Sequence, residues 1–173
     1  MSWSDNAVRV RAVVLDVDGV MTDGRVGYGG GQDEVKFFDV RDGHAIKMLR
    51  RAGIRVGMLS GRSSPANRRC AEELGLDFVL EGAKDKLAAF ERLCLDQGLD
   101  PSECLYMGDD VVDLPVLRRA GVGVAVADAV EEVRESVEWV TASRGGAGAV
   151  REVAVALLKR QGRWDELMSR YLR

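Results

Sequence analysis

The feature that most constrains this chain is Val13-Val14-Leu15-Asp16-Val17-Asp18-Gly19, an apolar run too short for an ordinary helix that opens directly into two carboxylates and a glycine. Such a run reads as a strand buried on both faces, the situation of a parallel sheet covered by helices. Residues two apart in extended backbone point the same way, so Asp16 and Asp18 are expected to converge just past the strand's carboxyl end, where open α/β sheets bind ligands. Two carboxylates that close raise each other's pKa unless a cation joins them, and a hard divalent ion is the natural one. An acidic turn without a ligand is the plainer reading, and the rest of the chain decides between the two.

The sequence of short apolar run, polar turn and helix recurs. Arg55–Leu59, Asp77–Leu80, Cys104–Met107 and Gly121–Val126 read as further strands, with a brief one at Trp139–Val140. Helices are expected from an Asp42 cap to about Ala52, from Pro65 to about Leu74, from an Asp85 cap to about Gln97, and over Leu114–Ala120, Val130–Ser136 and Val150–Gln161. On the Asp85 helix, Leu87, Phe90, Leu93 and Cys94 form the inward face. This alternation predicts an α/β fold, a Rossmann-like three-layer α/β/α arrangement around a parallel sheet.

One stretch breaks the alternation. From Arg25 to Phe38, Val26 and Tyr28 precede Gly29-Gly30-Gly31, and Val35 and Phe37 follow, which reads as a β-hairpin flap over the site. The glycines lack dinucleotide-binding spacing and lie inside a hairpin, not between a strand and a helix. The 173 residues, 46% of them hydrophobic, suit a single domain, 1–173, with the flap at about 25–38 and a tail at about 143–173. In that tail, Arg144-Gly145-Gly146-Ala147-Gly148 reads as a mobile turn, and the amphipathic Trp164–Leu172 needs a partner surface.

Composition removes several classes of function. The 25 basic residues are scattered among 28 acidic ones for a net charge of −3, so no basic surface for nucleic acid is expected. Cys70, Cys94 and Cys104 lack metal-binding spacing and fit buried thiols in a reducing compartment. No leader pattern is seen over residues 1–6, and no apolar run approaches ~18 residues, so a cytoplasmic protein without a membrane partner is expected.

Three later segments offer chemistry. Ser60-Gly61-Arg62 at the end of the second strand is either a simple turn or a phosphate-sized pocket of hydroxyl and backbone N–H groups. Lys84 and Lys86 flank the Asp85 cap, a locally unfavourable place for a cation unless it faces an anion. Gly108-Asp109-Asp110-Val111-Val112-Asp113 repeats the acidic strand end of the first motif, which favours a cation site. His44, the one histidine, is read as substrate-facing or structural.

Taken together, Asp16-x-Asp18-Gly19-x-x-Thr22, Ser60, Lys86 and Gly108-Asp109-Asp110-x-x-Asp113 resemble in order and spacing the four motifs of haloacid dehalogenase superfamily phosphatases. There is no room for a cap domain. With the hairpin, Asp39-Val40-Arg41-Asp42-Gly43 and Gly145-Gly146-x-Gly148-Ala149-Val150-Arg151-Glu152, the chain is similar from about Val8 onward to the 3-deoxy-D-manno-octulosonate 8-phosphate phosphatase family. The resemblance implies Asp16 as nucleophile, Asp18 as acid/base, and Ser60 and Lys86 as holders of the phosphoryl group. It implies Mg2+ held by Asp16, Asp109 and Asp18 through its carbonyl, with Asp110 and Asp113 at or behind the metal. The implied substrate is a sugar-acid phosphate of lipopolysaccharide precursor synthesis, bound through Ser60, Gly61, Arg62 and Lys86, with Arg69 or Arg144 as a further guanidinium. Arg62 suits the octulosonate branch; relatives acting on nonulosonate 9-phosphates, the alternative substrates, can carry Glu in that place. The resemblance also implies a homotetramer with its flaps gathered at the centre. A phospho-accepting receiver domain uses similar residues, but its accepting Asp lies mid-chain, whereas Asp16 ends the first strand here.

Overall fold

Strand β1 (Ala12–Leu15) is buried at all four positions in the computed structural model, which describes residues 5–29 and 34–172. It lies between β4 (Arg55–Leu59) and β6 (Cys104–Gly108), parallel to both, with Val14 opposite Gly57 on one side and Tyr106 on the other. Beyond β4 lies β5 (Phe78–Leu80), and beyond β6 lie β7 (Val122–Ala125) and β8 (Trp139–Val140). The order β5-β4-β1-β6-β7-β8 reverses direction beside β1, so a crevice opens at the carboxyl ends of β1 and β6. Gly57 is required where β4 meets β5, because a Cβ there would fall 2.0 Å from the Phe78 ring.

Helices α1 (Val40–Arg51) and α6 (Ala149–Arg160) pack together, as do α3 (Lys86–Gln97) and α4 (Leu114–Arg119); α2 (Pro65–Leu74), α5 (Glu131–Glu135) and α7 (Trp164–Ser169) complete the helical set. Local signals set most of their ends. Ser64 caps α2 by accepting from Ala66 N–H, and Asp85 caps α3 by accepting from Ala88 N–H. Gly75 and Gly98, both left-handed, stop the same two helices. Apart from these helices, β2 (Gly27–Tyr28) and β3 (Glu34–Val35) pair antiparallel, as the hairpin reading requires. Gly30 and Gly31 of the expected glycine turn lie outside the described residues.

Two helix expectations are corrected. Helix α1 begins at Val40 under an Asp39 cap that accepts from Arg41 and Asp42 N–H, so Asp42 is not its cap. Asp42 is buried instead and accepts from Gly148 N–H at 3.2 Å and Arg151 N–H at 2.7 Å, capping α6 from another helix. The reason is that α6 follows Gly148, which has no side chain to cap with. On α3, Leu87 is only half-buried and stands outside the core, while Lys86 takes the inward place.

The glycine-rich tail turn is tied down within its own chain. Gly146 N–H donates to Val20 O at 2.9 Å, Gly145 N–H to Asp128 Oδ1 at 2.9 Å, and Arg144 pairs with Asp128 at 3.1 Å. A Cβ on Gly145 would fall 1.7 Å from Gly19 O, so these glycines permit close backbone approach. Trp164, Leu167 and Met168 of α7 find their surface on the chain's own core, leaving Leu172 exposed. All three cysteines are free, with Cys94 and Cys104 buried. Among the described residues no helix is long and apolar enough to cross a membrane.

Candidate active site

Asp16 leaves β1 with extended backbone, and its N–H donates to Met107 O of β6 at 3.0 Å, so the first residue past the strand is still held by the sheet. The chain then turns tightly through Val17–Met21, with Gly19 at φ 90°. Buried Thr22 closes the turn: its Oγ1 accepts from Gly19 N–H at 3.3 Å and Gly24 N–H at 3.2 Å. Gly19 also makes room for the next carboxylate, since a Cβ there would lie 2.0 Å from Asp109 Oδ2.

Lys86 opens α3 and reaches into this turn. Its Nζ lies 2.9 Å from Asp16 Oδ1 and donates to Asp113 Oδ1 at 2.7 Å, which accounts for a cation at a helix start. Fully buried Asp113 also accepts from Tyr106 O–H at 2.6 Å, Asp109 N–H at 3.0 Å and Asp110 N–H at 3.3 Å. One carboxylate oxygen from each of Asp16, Asp109 and Asp113 falls within 4.8 Å of the others.

Crowding shows in the electrostatics. Burial, and then the Asp113 charge, push Asp16 from 3.8 to about 6 against the opposing Lys86 ammonium. Burial, then Asp16 and Asp113, push Asp109 from 3.8 to about 8. Burial works against the Lys86 charge, but Asp16 and Asp113 outweigh it and hold the ammonium pKa above its usual range. Asp109 Oδ1 is buried without a hydrogen-bond partner. An all-oxygen set of crowded carboxylates with an orphaned buried oxygen fits a hard divalent cation.

The remaining candidate residues lie around this centre. Asp18 turns away from the carboxylate group, its Oδ1 2.7 Å from Lys36 Nζ. The two aspartates thus have a lysine each, because the strand alternation that would have aligned them ends at Leu15. Asp110 is exposed and its Oδ1 accepts from Val111 N–H at 2.7 Å, capping the turn Val111–Asp113. Ser60 is buried at the end of β4, with Oγ accepting from Arg62 N–H at 3.1 Å. Gly61 and Arg62 are exposed; Arg62 forms a close ion pair with Glu34 and donates to Tyr28 O–H at 3.4 Å, both on the flap. Arg69 stands apart from the carboxylates and lines a cavity of about 480 Å³ with Met21, Lys36, His44 and Cys70.

Sequence reading missed Lys36, Asn67 and Tyr106. Lys36 carried a usable signal: it shares one face of the flap with Glu34, while Val35 and Phe37 on the other face are exposed.

A doubly wound parallel sheet with crowded carboxylates and a lysine at its switch point is the arrangement in which α/β enzymes bind their ligands. Residues 26–121 match the model of the haloacid dehalogenase-like hydrolase family. The chain is 40% identical over 161 residues to the 3-deoxy-D-manno-octulosonate 8-phosphate phosphatase of Escherichia coli, covering 92% of this chain and 85% of that protein. It superposes with TM-score 0.93 at 37% identity on the Moraxella catarrhalis phosphatase of that name, crystallised with magnesium, phosphate and KDO, over 96% of this chain and 95% of that one. A cobalt-bound Haemophilus influenzae relative gives TM-score 0.89 at 40% identity, covering 92% and 94%. The chain belongs to the haloacid dehalogenase-like hydrolase family.

Proposed function

We propose that the chain is a Mg2+-dependent phosphomonoesterase that releases the free sugar acid and phosphate from 3-deoxy-D-manno-octulosonate 8-phosphate through an aspartyl-phosphate. The observation that carries the reading is the group of buried Asp16 and Asp113 with half-buried Asp109, and the Lys86 ammonium 2.9 Å from Asp16. Phosphoryl transfer asks a protein chiefly for positioning and charge neutralisation, and this group supplies both. An Asp16 oxygen attacks phosphorus, the bond to the sugar oxygen breaks, and the Asp18 carboxylic acid gives that oxygen its proton. Asp18, now a carboxylate, takes a proton from the water that attacks the aspartyl-phosphate, and phosphate leaves. Lys86 and the Ser60 loop hold the phosphoryl oxygens throughout. Asp16, Asp109 and the Asp18 carbonyl would hold magnesium, with Asp110 and Asp113 supporting them; the ion supplies positive charge against the phosphoryl oxygens and keeps Asp16 ionised.

The substrate follows from the relatives named above and from Arg62, whose guanidinium already holds one carboxylate at the mouth of the site, that of Glu34. A sugar carboxylate exchanging with Glu34 would be read bidentately, which hexose phosphates cannot imitate; Gly61 and Arg69 complete the sugar side. We place the chain, a single domain over 1–173, in the cytoplasm and in lipopolysaccharide precursor synthesis. Its assembly is read as a homotetramer joined through the flap and the start of α1, where Tyr28 and Phe37 are 74% and 78% exposed and Val40 is 86% exposed.

Phosphate release measured over octulosonate 8-phosphate, nonulosonate 9-phosphate and hexose phosphates tests the reading. The octulosonate compound is expected to give the highest kcat/KM. Comparable values for the nonulosonate compound would refute the preference.

A further inference from the structure

Lys36, just past β3, has a side chain with 0% exposure, and its Nζ sits where three segments meet. It lies 2.7 Å from Asp18 Oδ1 on the turn after β1, 3.8 Å from Glu34 Oε2 on the flap, and donates to Asn67 Oδ1 on α2 at 3.0 Å. An ammonium buried this deeply is tolerated only when paired and hydrogen-bonded, so the three contacts fix its position. Asp18, by contrast, is a short side chain on an irregular turn just before Gly19 at φ 90°, past the end of the sheet ladder. Its rotamer has no strand neighbours to hold it, and the opposing cation supplies the constraint. The two lysines divide the work: Lys86 faces Asp16, and Lys36 faces Asp18.

We propose that Lys36 is a positioning residue for proton transfer, holding the Asp18 carboxyl where it meets the leaving-group oxygen and thereby making flap seating a condition for that step. The proposal rests on the reading of Asp18 as the acid/base. Because Asn67 anchors the same ammonium from α2, and Glu34 joins it to Arg62, displacement of the flap would release Asp18 from its partner.

The effect is distinctive because it depends on the leaving group. An alkyl phosphate such as a sugar phosphate needs its departing oxygen protonated, whereas 4-nitrophenyl phosphate loses a stabilised phenolate that does not. Single-turnover release of each leaving group is measured in Mg2+ with enzyme in excess, for Lys36→Met, Asn67→Leu and Asp18→Asn. Lys36→Met is expected to slow sugar release by ~10²-fold while 4-nitrophenolate release stays within ~3-fold of the unmodified enzyme. The sugar-phosphate KM is expected to change by no more than ~3-fold, since substrate binding is not at stake. Asn67→Leu should show the same selectivity with a smaller loss, and it decides the question if Lys36→Met does not fold. Equal slowing of both substrates, or slowing of neither, overturns the proposal. A normal sugar-release rate in Asp18→Asn would remove the acid/base reading itself; a slow Asp18→Asn beside an unaffected Lys36→Met removes only the role of Lys36.

Discussion

Asp16 is a carboxylate that the fold makes uncomfortable: burial and Asp113 raise its pKa to about 6, and Lys86 only partly offsets them. Replacement by Asn keeps the shape and removes both the proposed nucleophile and the unfavourable charge. Asp16→Asn is therefore expected to lose at least ~10²-fold in turnover while the metal-free protein melts no lower than the unmodified chain. Calorimetry beside a phosphate-release assay checks both halves, and wild-type turnover would overturn the nucleophile assignment. Gly19 carries the opposite dependence. Gly19→Ala puts a Cβ 2.0 Å from Asp109 Oδ2 at φ 90°, so it is expected to cost ~1–3 kcal/mol in urea unfolding and to displace Asp109.

At the scale of elements, most of the chain was legible. The six parallel strands follow from short apolar runs, and the Asp85 cap from residue type and spacing. Asp42 was not legible, because either Asp39 or Asp42 can cap a helix start and the choice depends on what Asp42 meets across the fold. Its removal should be felt in α6 and not in α1. Asp42→Ala is expected to lower stability by ~1–3 kcal/mol and to speed hydrogen exchange at the Arg151 amide, which loses its acceptor. Unchanged exchange there would contradict the cross-helix cap. The tail turn was misread for a related reason: glycines that suggest mobility in a string of letters are here the price of close approach to Gly19 and Thr22.

For the whole molecule, the crowded carboxylates make stability depend on pH and metal. With Asp16 raised to about 6 and Asp109 to about 8, the folded metal-free chain keeps protons that the unfolded chain releases above about 3.8. Stability of the metal-free protein is expected to be greatest at the acid end of this window and to fall as pH rises from about 4 to about 8. Mg2+ should raise Tm, and by more at pH ~8 than at pH ~5, since binding to the folded state requires the deprotonated carboxylates. A Tm insensitive to Mg2+ at both pH values would count against the metal site. Association belongs to the same scale: Phe37→Glu with Val40→Glu should reduce the mass seen by light scattering, because both exposed side chains lie at the flap base. An unchanged mass would count against the proposed homotetramer joined through the flap.

The sequence by itself determined the parallel sheet, the positions of Asp16, Ser60, Lys86 and Asp109 at strand ends and helix starts, and the flap, because period and turn chemistry are written in neighbouring residues. Only the tertiary structure decided which lysine faces which aspartate, that Asp113 is a fully bonded hub, that Asp42 caps α6, and that Lys36 is buried against Asp18. Those outcomes join segments far apart in the chain, where the contact is set by how helices and sheet pack and by the need to pair every buried charge.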